Sequence, residues 1–251
     1  MKKIFIHLPV LLLAVQAVIA QNVNIRNNNF KKALIEQGVD LNNDNEIQVA
    51  EALKVTKLYV NKFQISSLAG IRSFANLEEF GFYDNNIRDA DFQGMTKLRA
   101  IYGYNNQLQT LNVKGCTNLQ TIYAAYNKLS VIDLSGLPRL KELQLHNNTL
   151  NAVDVGGHPL LEECQLNDNM MTSFSFKGSH AIKTLMLGNN QLEELNATPL
   201  KDLEVLNLYT NRKLRILKVY GLRKLKELNA DFCPLDNLNM SGTVSLTKFT
   251  W

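Results

Sequence analysis

The chain has little of what many protein classes depend on. Its 251 residues include 3 cysteines, 5 prolines and a single tryptophan. Three cysteines in a chain this long cannot form a disulfide scaffold, so stability has to come from an apolar core. Charge of one sign is scarce as well. The 27 Lys and Arg set against 23 Asp and Glu leave a net charge of +4, too weak an excess to imply a nucleic-acid partner. G-x-S-x-G, H-E-x-x-H and G-x-x-x-x-G-K are all missing, so a hydrolase elbow, a zinc protease helix and a phosphate loop lack their residues. Long apolar runs are confined to the start of the chain.

That start reads as a targeting segment. Lys2 and Lys3 precede an apolar run from Ile4 to Ala20 that ends Val18-Ile19-Ala20. A basic start, an apolar middle and a small-residue end make a secretory signal peptide over residues 1–20, cleaved after Ala20, with Val15-Gln16-Ala17 as a competing site. The run is short for a membrane span of about 20 apolar residues. The protein is expected to be secreted or periplasmic, with no transmembrane segment after cleavage. Losing Lys2 and Lys3 leaves 27 − 2 = 25 basic residues against 23 acidic ones, a net charge of +2.

Two residues are abundant, 40 Leu and 30 Asn, and a repeat accounts for both. Leu77-Glu-Glu-Phe80-Gly-Phe82-Tyr-Asp-Asn85-Asn-Ile87 aligns with Leu98-Arg-Ala-Ile101-Tyr-Gly103-Tyr-Asn-Asn106-Gln-Leu108. Both fit L-x-x-L-x-L-x-x-N-x-L, the leucine-rich repeat signature. The pattern restarts at Val55, Leu77, Leu98, Leu119, Leu140, Leu161, Ile182, Leu203, Leu225 and Leu246, every 21 or 22 residues. Second-half pairs such as Leu111/Val113, Ile132/Leu134 and Val153/Val155 recur too, followed by glycines from Gly94 to Gly242. The spacing predicts a solenoid over residues 55–251, nine complete units and a partial tenth, with a curved parallel sheet. A unit of 21 residues leaves little room for a helix, so the convex side is expected to be mostly non-helical. Asn85, Asn106, Asn127, Asn148, Asn169, Asn190 and Asn211 hold one slot in successive units. An amide there has both donors and an acceptor for the backbone groups left unpaired where the chain leaves its strand, so an asparagine ladder is expected. Cys233 takes the slot in the ninth unit and Phe63 in the first.

Residues 21–54 read as a small α-helical N-terminal cap. Asn29 is expected to start a helix running through Gln37, with Phe30, Ala33 and Leu34 inward and Gly38 ending it. The following Asp40-Leu-Asn42-Asn-Asp44-Asn-Glu46-Ile47-Gln-Val-Ala-Glu51 has the ligand spacing of an EF-hand calcium loop. Asp40, Asn42, Asp44, the Glu46 carbonyl and a bidentate Glu51 would hold one structural calcium ion. The alternative is a polar cap turn that binds no metal. At the other end, Trp251 is expected on an inward-facing position, closing the core by bulk.

The cap and repeats together resemble a bacterial leucine-rich repeat protein of the internalin type, over Asn22 to Trp251. The resemblance implies a concave sheet that binds proteins, often on host surfaces. No C-terminal immunoglobulin-like segment or wall anchor is expected, a departure from that family.

Side chains leaving the strands toward the concave face form the candidate site. Tyr59, Tyr83, Tyr102, Tyr104, Tyr123, Tyr126 and Tyr209 all fall there, six of them in the first four units, beside Glu142, Gln144, His146, Glu163, Gln165 and Asp168. Tyrosine offers a rigid apolar face with a polar tip, the chemistry of binding hot spots. The competing reading has these rings packing over the small Gly103 and Ala124 to complete the sheet. A basic run, Arg212, Lys213, Arg215, Lys218, Arg223, Lys224 and Lys226, reads as a solvated loop face. His158 and His180 read as exposed loop residues, and Cys116, Cys164 and Cys233 as small buried fillers. The expected function is non-catalytic recognition of a host or envelope protein by the concave face. A glycan ligand on the same tyrosines is the first alternative, and an envelope spacer the second. A nucleic-acid partner is not expected.

Overall fold

The computed structural model describes residues 21–251, and the expected signal peptide lies outside the described residues. Because one repeat carries the chain once around the circuit, equivalent residues return side by side 21 or 22 positions later. Ten three-residue strands result, Lys57–Tyr59, Glu79–Gly81, Ala100–Tyr102, Thr121–Tyr123, Glu142–Gln144, Glu163–Gln165, Thr184–Met186, Val205–Asn207, Glu227–Asn229 and Lys248–Thr250. They pair in that order as one parallel sheet. The register follows the sequence alignment, with Ile101 opposite Ile122 and Tyr102 opposite Tyr123. Each central residue points inward and its neighbours point out, the alternation that a strand dictates.

The inward residues form one continuous core along the solenoid, from Leu58 to Leu228. On the return side, short strands at Asp89–Asp91, Thr110–Asn112, Ala152–Asp154, Ser173–Ser175, Glu194–Asn196, Ile216–Lys218 and Asn237–Asn239 form sheets of only two or three strands. Among the described residues of the repeats, the one helical element is a 3₁₀ turn, Ile71–Ser73. The return segments turn through left-handed glycines, Gly94, Gly115, Gly136, Gly157, Gly178, Gly221 and Gly242, with φ between 72° and 87°. That backbone region is open to glycine and costly for residues with a Cβ.

The asparagine ladder is present and its bonds are uniform. Asn148 donates to the carbonyls of Ala124 at 3.0 Å and Leu145 at 3.0 Å, and accepts from the Leu129 N–H at 2.9 Å. One side chain thus fastens its own turn to the unit before it. Asn127 repeats the pattern with Gly103, Ala124 and Leu108, and Asn211 with Leu187, Leu208 and Leu192. Cys233 keeps one of these contacts, donating its thiol to the Leu208 carbonyl at 3.1 Å.

The two ends differ. At the N-terminal end a helix, Asn28–Glu36, buries Phe30, Ala33 and Leu34. Its cap is Asn27 rather than Asn29: the Asn27 side chain accepts from the Phe30 N–H at 2.9 Å, whereas Asn29 donates to the Gln64 carbonyl. Within a run of three asparagines, the one three residues before the first buried aromatic has the capping geometry. At the C-terminal end Trp251 does not close the core. It is 61% exposed and Phe249 is 37% exposed, and the last strand pairs along one edge only among the described residues. The indole N–H of Trp251 reaches back to the Cys233 carbonyl instead.

Candidate functional site

In-register parallel strands bring like positions of neighbouring units face to face, and the tyrosines follow this rule. Tyr102 and Tyr123, equivalent residues of adjacent units, meet edge to face with ring centres 5.5 Å apart. Tyr83 and Tyr104, two positions further along their units, stack at 4.5 Å with planes 8° apart. Tyr59 reaches two units along the sheet to stack at 6.4 Å on Tyr102. Gly81 permits that reach: a Cβ placed on it would stand 2.4 Å from the Tyr59 ring. The expected platform was Gly103 and Ala124, but Gly103 is filled from within by Phe82. The glycine beneath the tyrosines is Gly81, which sequence reasoning missed. Its signal was a glycine at a strand position flanked by tyrosine in the units before and after.

The other two tyrosines sit elsewhere. Tyr126 is 55% exposed on the turn before the ladder asparagine and contacts His146 edge to face at 5.3 Å. Tyr209 lies over Gly188 and donates to Asp168 at 3.3 Å, apart from the six in the first four units. Five rings, Tyr59, Tyr83, Tyr102, Tyr104 and Tyr123, are therefore grouped as two short rows. Tyr126 flanks them and Tyr209 does not join them.

Carboxylates hold two of the five hydroxyls in the rows. Tyr59 donates to Glu79 at 3.0 Å and Tyr123 donates to Glu142. Burial and then the bond to Glu79 push the Tyr59 hydroxyl up to about 12. Burial and Glu142 raise Tyr123 in the same sense, and burial raises Tyr102 and Tyr104. All four remain neutral hydrogen-bond donors at physiological pH. Lys57, 2.7 Å from Glu79, holds that carboxyl below its usual range.

The turn that ends each strand carries a left-handed residue just before the ladder position. Asp84, Asn105, Asn147, Asp168 and Asn189 tolerate that conformation, but Tyr126, Thr210 and Phe232 also adopt it, with φ of 54°, 59° and 61°. Phe232 is 76% exposed, so its ring is not what stabilises the turn.

The cap loop holds its polar groups in an internal network. Asp40 accepts from the amides of Asp44 and Asn45, and Asp44 from that of Glu46. Both oxygens of the buried Glu51 are engaged, one by the amides of Leu41 and Asn42 and the other by that of Gln48. Glu46 pairs with Lys31 at 2.5 Å. Asn42 donates to Asp44 and Gln48. Among the described residues no three acidic, histidine or cysteine side chains gather at one point.

Of the histidines, His180 is exposed as expected and His158 is not: it is buried, with Nδ1 3.1 Å from the Leu137 carbonyl. Cys116, Cys164 and Cys233 are buried free thiols, and burial pushes Cys116 up to about 11. In the basic run, Arg215, Lys224 and Lys226 pair with Asp236, Asp202 and Glu204.

This geometry defines a leucine-rich repeat solenoid. A family model described as "Leucine Rich repeats (2 copies)" matches residues 117–155. The functional domain of InlJ from Listeria monocytogenes superimposes with a TM-score of 0.68 at 25% identity, over 81% of this chain and 50% of that one. Internalin C2 from the same organism gives 0.60 at 16% identity, over 89% and 92%. YopM from Yersinia enterocolitica gives 0.62 at 21% identity, over 80% and 48%. The chain spans about half the length of the InlJ and YopM structures it matches. A comparison with curated protein sequences gives no match. The chain is thus similar in fold to leucine-rich repeat proteins of the internalin type. Among the described residues, no helix is long and apolar enough to cross a membrane.

Proposed function

We propose that the protein is an exported, non-catalytic binding module that recognises a protein partner through its concave sheet. The observation that carries the reading is the pair of tyrosine rows in the first four units. Rings held in register on a sheet face present preorganised apolar area with polar tips, at low entropic cost on binding. Export rests on residues 1–20, and secreted or periplasmic residence follows from it; a mature N-terminus at Gln21 in protein recovered outside the cytoplasm is the expected result.

The test of the face compares the native protein with Tyr102/Tyr104/Tyr123/Tyr126→Ala, both immobilised and exposed to host-cell and envelope extracts. A defined protein held by the native face, and lost from a variant with unchanged circular dichroism and melting, is expected. A captured glycan in its place would move the reading to sugar stacking on the same rings. Equal capture by both would leave the tyrosines as packing and favour a spacer role.

Calcium at the cap is a separate proposal. Asp40, Asn42, Asp44, the Glu46 carbonyl and Glu51 would hold the ion, which would supply charge neutralisation and a fixed cap. Calorimetric melting in calcium and in chelator tests it. An upward shift that Glu51→Gln abolishes supports the ion, and superimposable transitions reject it.

A further inference from the structure

We infer that the partner seated on the concave face presents a lysine- or arginine-rich segment there; this rests on the protein-binding reading above and adds the chemistry of the ligand. The observation is a separation of charge by face. The chain as a whole is only weakly basic, yet its lysines and arginines are not spread evenly. Among the described residues, the outward positions of the concave strands, up to the left-handed residue that ends each, carry no Lys or Arg from the second unit to the ninth. Lys57 and Lys62 stand in the first unit and Lys248 in the tenth, at the rims.

The acids on the same face fall into two groups. Those near the rims are compensated apart from Asp231, which has no salt bridge within the described residues: Glu79 by Lys57 at 2.7 Å, Asp84 by Lys62 at 4.0 Å and Glu227 by Lys248 at 3.1 Å. Those further along are not. Glu142, Glu163 and Asp168 lack a salt bridge within the described residues, and their side-chain bonds come from neutral groups such as Tyr123, Gln165, Asn167 and Asn189. Neutral donors orient a carboxylate and leave its charge in place. His146, between these acids, adds no positive charge at neutral pH, since burial lowers its pKa. The residue preceding each strand provides the contrast. There Glu78 pairs with Arg99, Glu162 with Lys183 and Glu204 with Lys226, so the carboxylates of that row are neutralised, and Lys141 adds one further cation.

Carboxylates spread over two adjacent units of a sheet and not converging suit an extended polycation better than a single ion. Strands of adjacent units lie about 4.8 Å apart, comparable to the span of one to two residues of an extended peptide. The tyrosine rows continue the track on its N-terminal side. A guanidinium or ammonium group entering between Tyr123, Tyr126 and Glu142 gains both an aromatic face and a charge partner. Opposite potentials also raise encounter rates and reject anionic competitors.

The probe is a fluorescein-labelled octa-arginine peptide, with octa-glutamate and heparin as controls, followed by anisotropy at 50 mM and 500 mM NaCl. Octa-arginine is expected to bind the native protein and weaken about tenfold or more at high salt, where the Debye length shrinks to a few ångströms. Glu142→Gln/Glu163→Gln/Asp168→Asn keeps the hydrogen-bonding shapes, removes three charges and should weaken binding at least about tenfold. Glu162→Gln/Glu204→Gln, at carboxylates already paired with lysines, should leave it within about twofold. No binding, equal binding to the triple variant, or preference for octa-glutamate or heparin overturns the inference. A partner captured by the tyrosine rows but indifferent to the triple variant would sink this inference and leave the protein-binding reading standing. Failure of both assays would remove the two together.

Discussion

Asn148 shows how much one repeated side chain carries. Its amide satisfies two carbonyls and one N–H of buried backbone, in two successive units. Asn148→Ala leaves those groups unpaired where water has no access, and each buried orphan costs about 1–3 kcal/mol. A fall in stability of at least that order, read from the urea midpoint, is expected, with the secondary structure kept. Asn148→Cys should recover part of the loss, since Cys233 fills the slot with one donated bond. The ladder was legible in the sequence because one residue type recurs at one phase. Phe82 and Gly103 were not, because their relation is a trade of volume between neighbouring units. A Cβ on Gly103 would lie 2.3 Å from the Phe82 ring, deep in the core. Gly103→Ala is therefore expected to cost about 1–3 kcal/mol from overpacking. In a Phe82→Leu background the same change should cost clearly less, and a double-mutant cycle measures that coupling. Additive losses would show that the ring is free to move aside.

At the scale of the element, the strands were readable to the residue and the connections were not. A strand position is fixed by an inward leucine and its register with the next unit, and both repeat. The left-handed residue before each ladder position is a backbone property, hidden behind side chains as different as Asp84, Tyr126 and Phe232. His158 was misplaced for a related reason. Its return turn is covered by neighbouring units, so a histidine that looks like a loop residue is buried, its backbone N–H donating to Ser179 and its ring against the Leu137 carbonyl. This burial gives the fold an acid-sensitive point. Desolvation lowers the pKa of His158, and of His146, below 6.5. The unfolded chain then takes up protons near pH 6.5 that the folded chain refuses, so stability is lost as pH falls through that value and is complete above it. Carboxylates with lowered pKa, such as Glu79 and Glu204, act only at lower pH, near the unfolded carboxylate range. Urea midpoints should therefore drop between about pH 7.5 and 5.5, on either side of the unfolded histidine value. His158→Asn should flatten the slope whatever its effect on absolute stability. A native slope that is already flat would place the His158 ring in contact with solvent.

For the whole molecule, a solenoid is held by contacts between neighbouring units, so its stability is distributed and its ends decide where it opens. Here the ends are unequal. The first unit is covered by the helix that buries Phe30 and Leu34, and its entry is tied by the Val23 N–H to the Ile47 carbonyl. The last strand, Lys248–Thr250, pairs along one edge only, with Glu227–Asn229. Its inward Phe249 is left part-exposed, and Val244 in the turn before it is exposed. Opening is therefore expected to begin at the C-terminal unit and move inward. The position of Trp251 makes this measurable, because it is the one tryptophan in the chain and sits on that unit, bonded to Cys233. Its fluorescence reports the last unit, while far-ultraviolet circular dichroism averages over all ten strands of the main sheet. The tryptophan signal should change at lower urea than the dichroism, and hydrogen exchange should be fastest at Lys248–Thr250 and slowest in the middle units. Coincident transitions would mean that the units unfold together and that the uncovered end costs the fold nothing, in which case coupling between units outweighs the difference between the two ends.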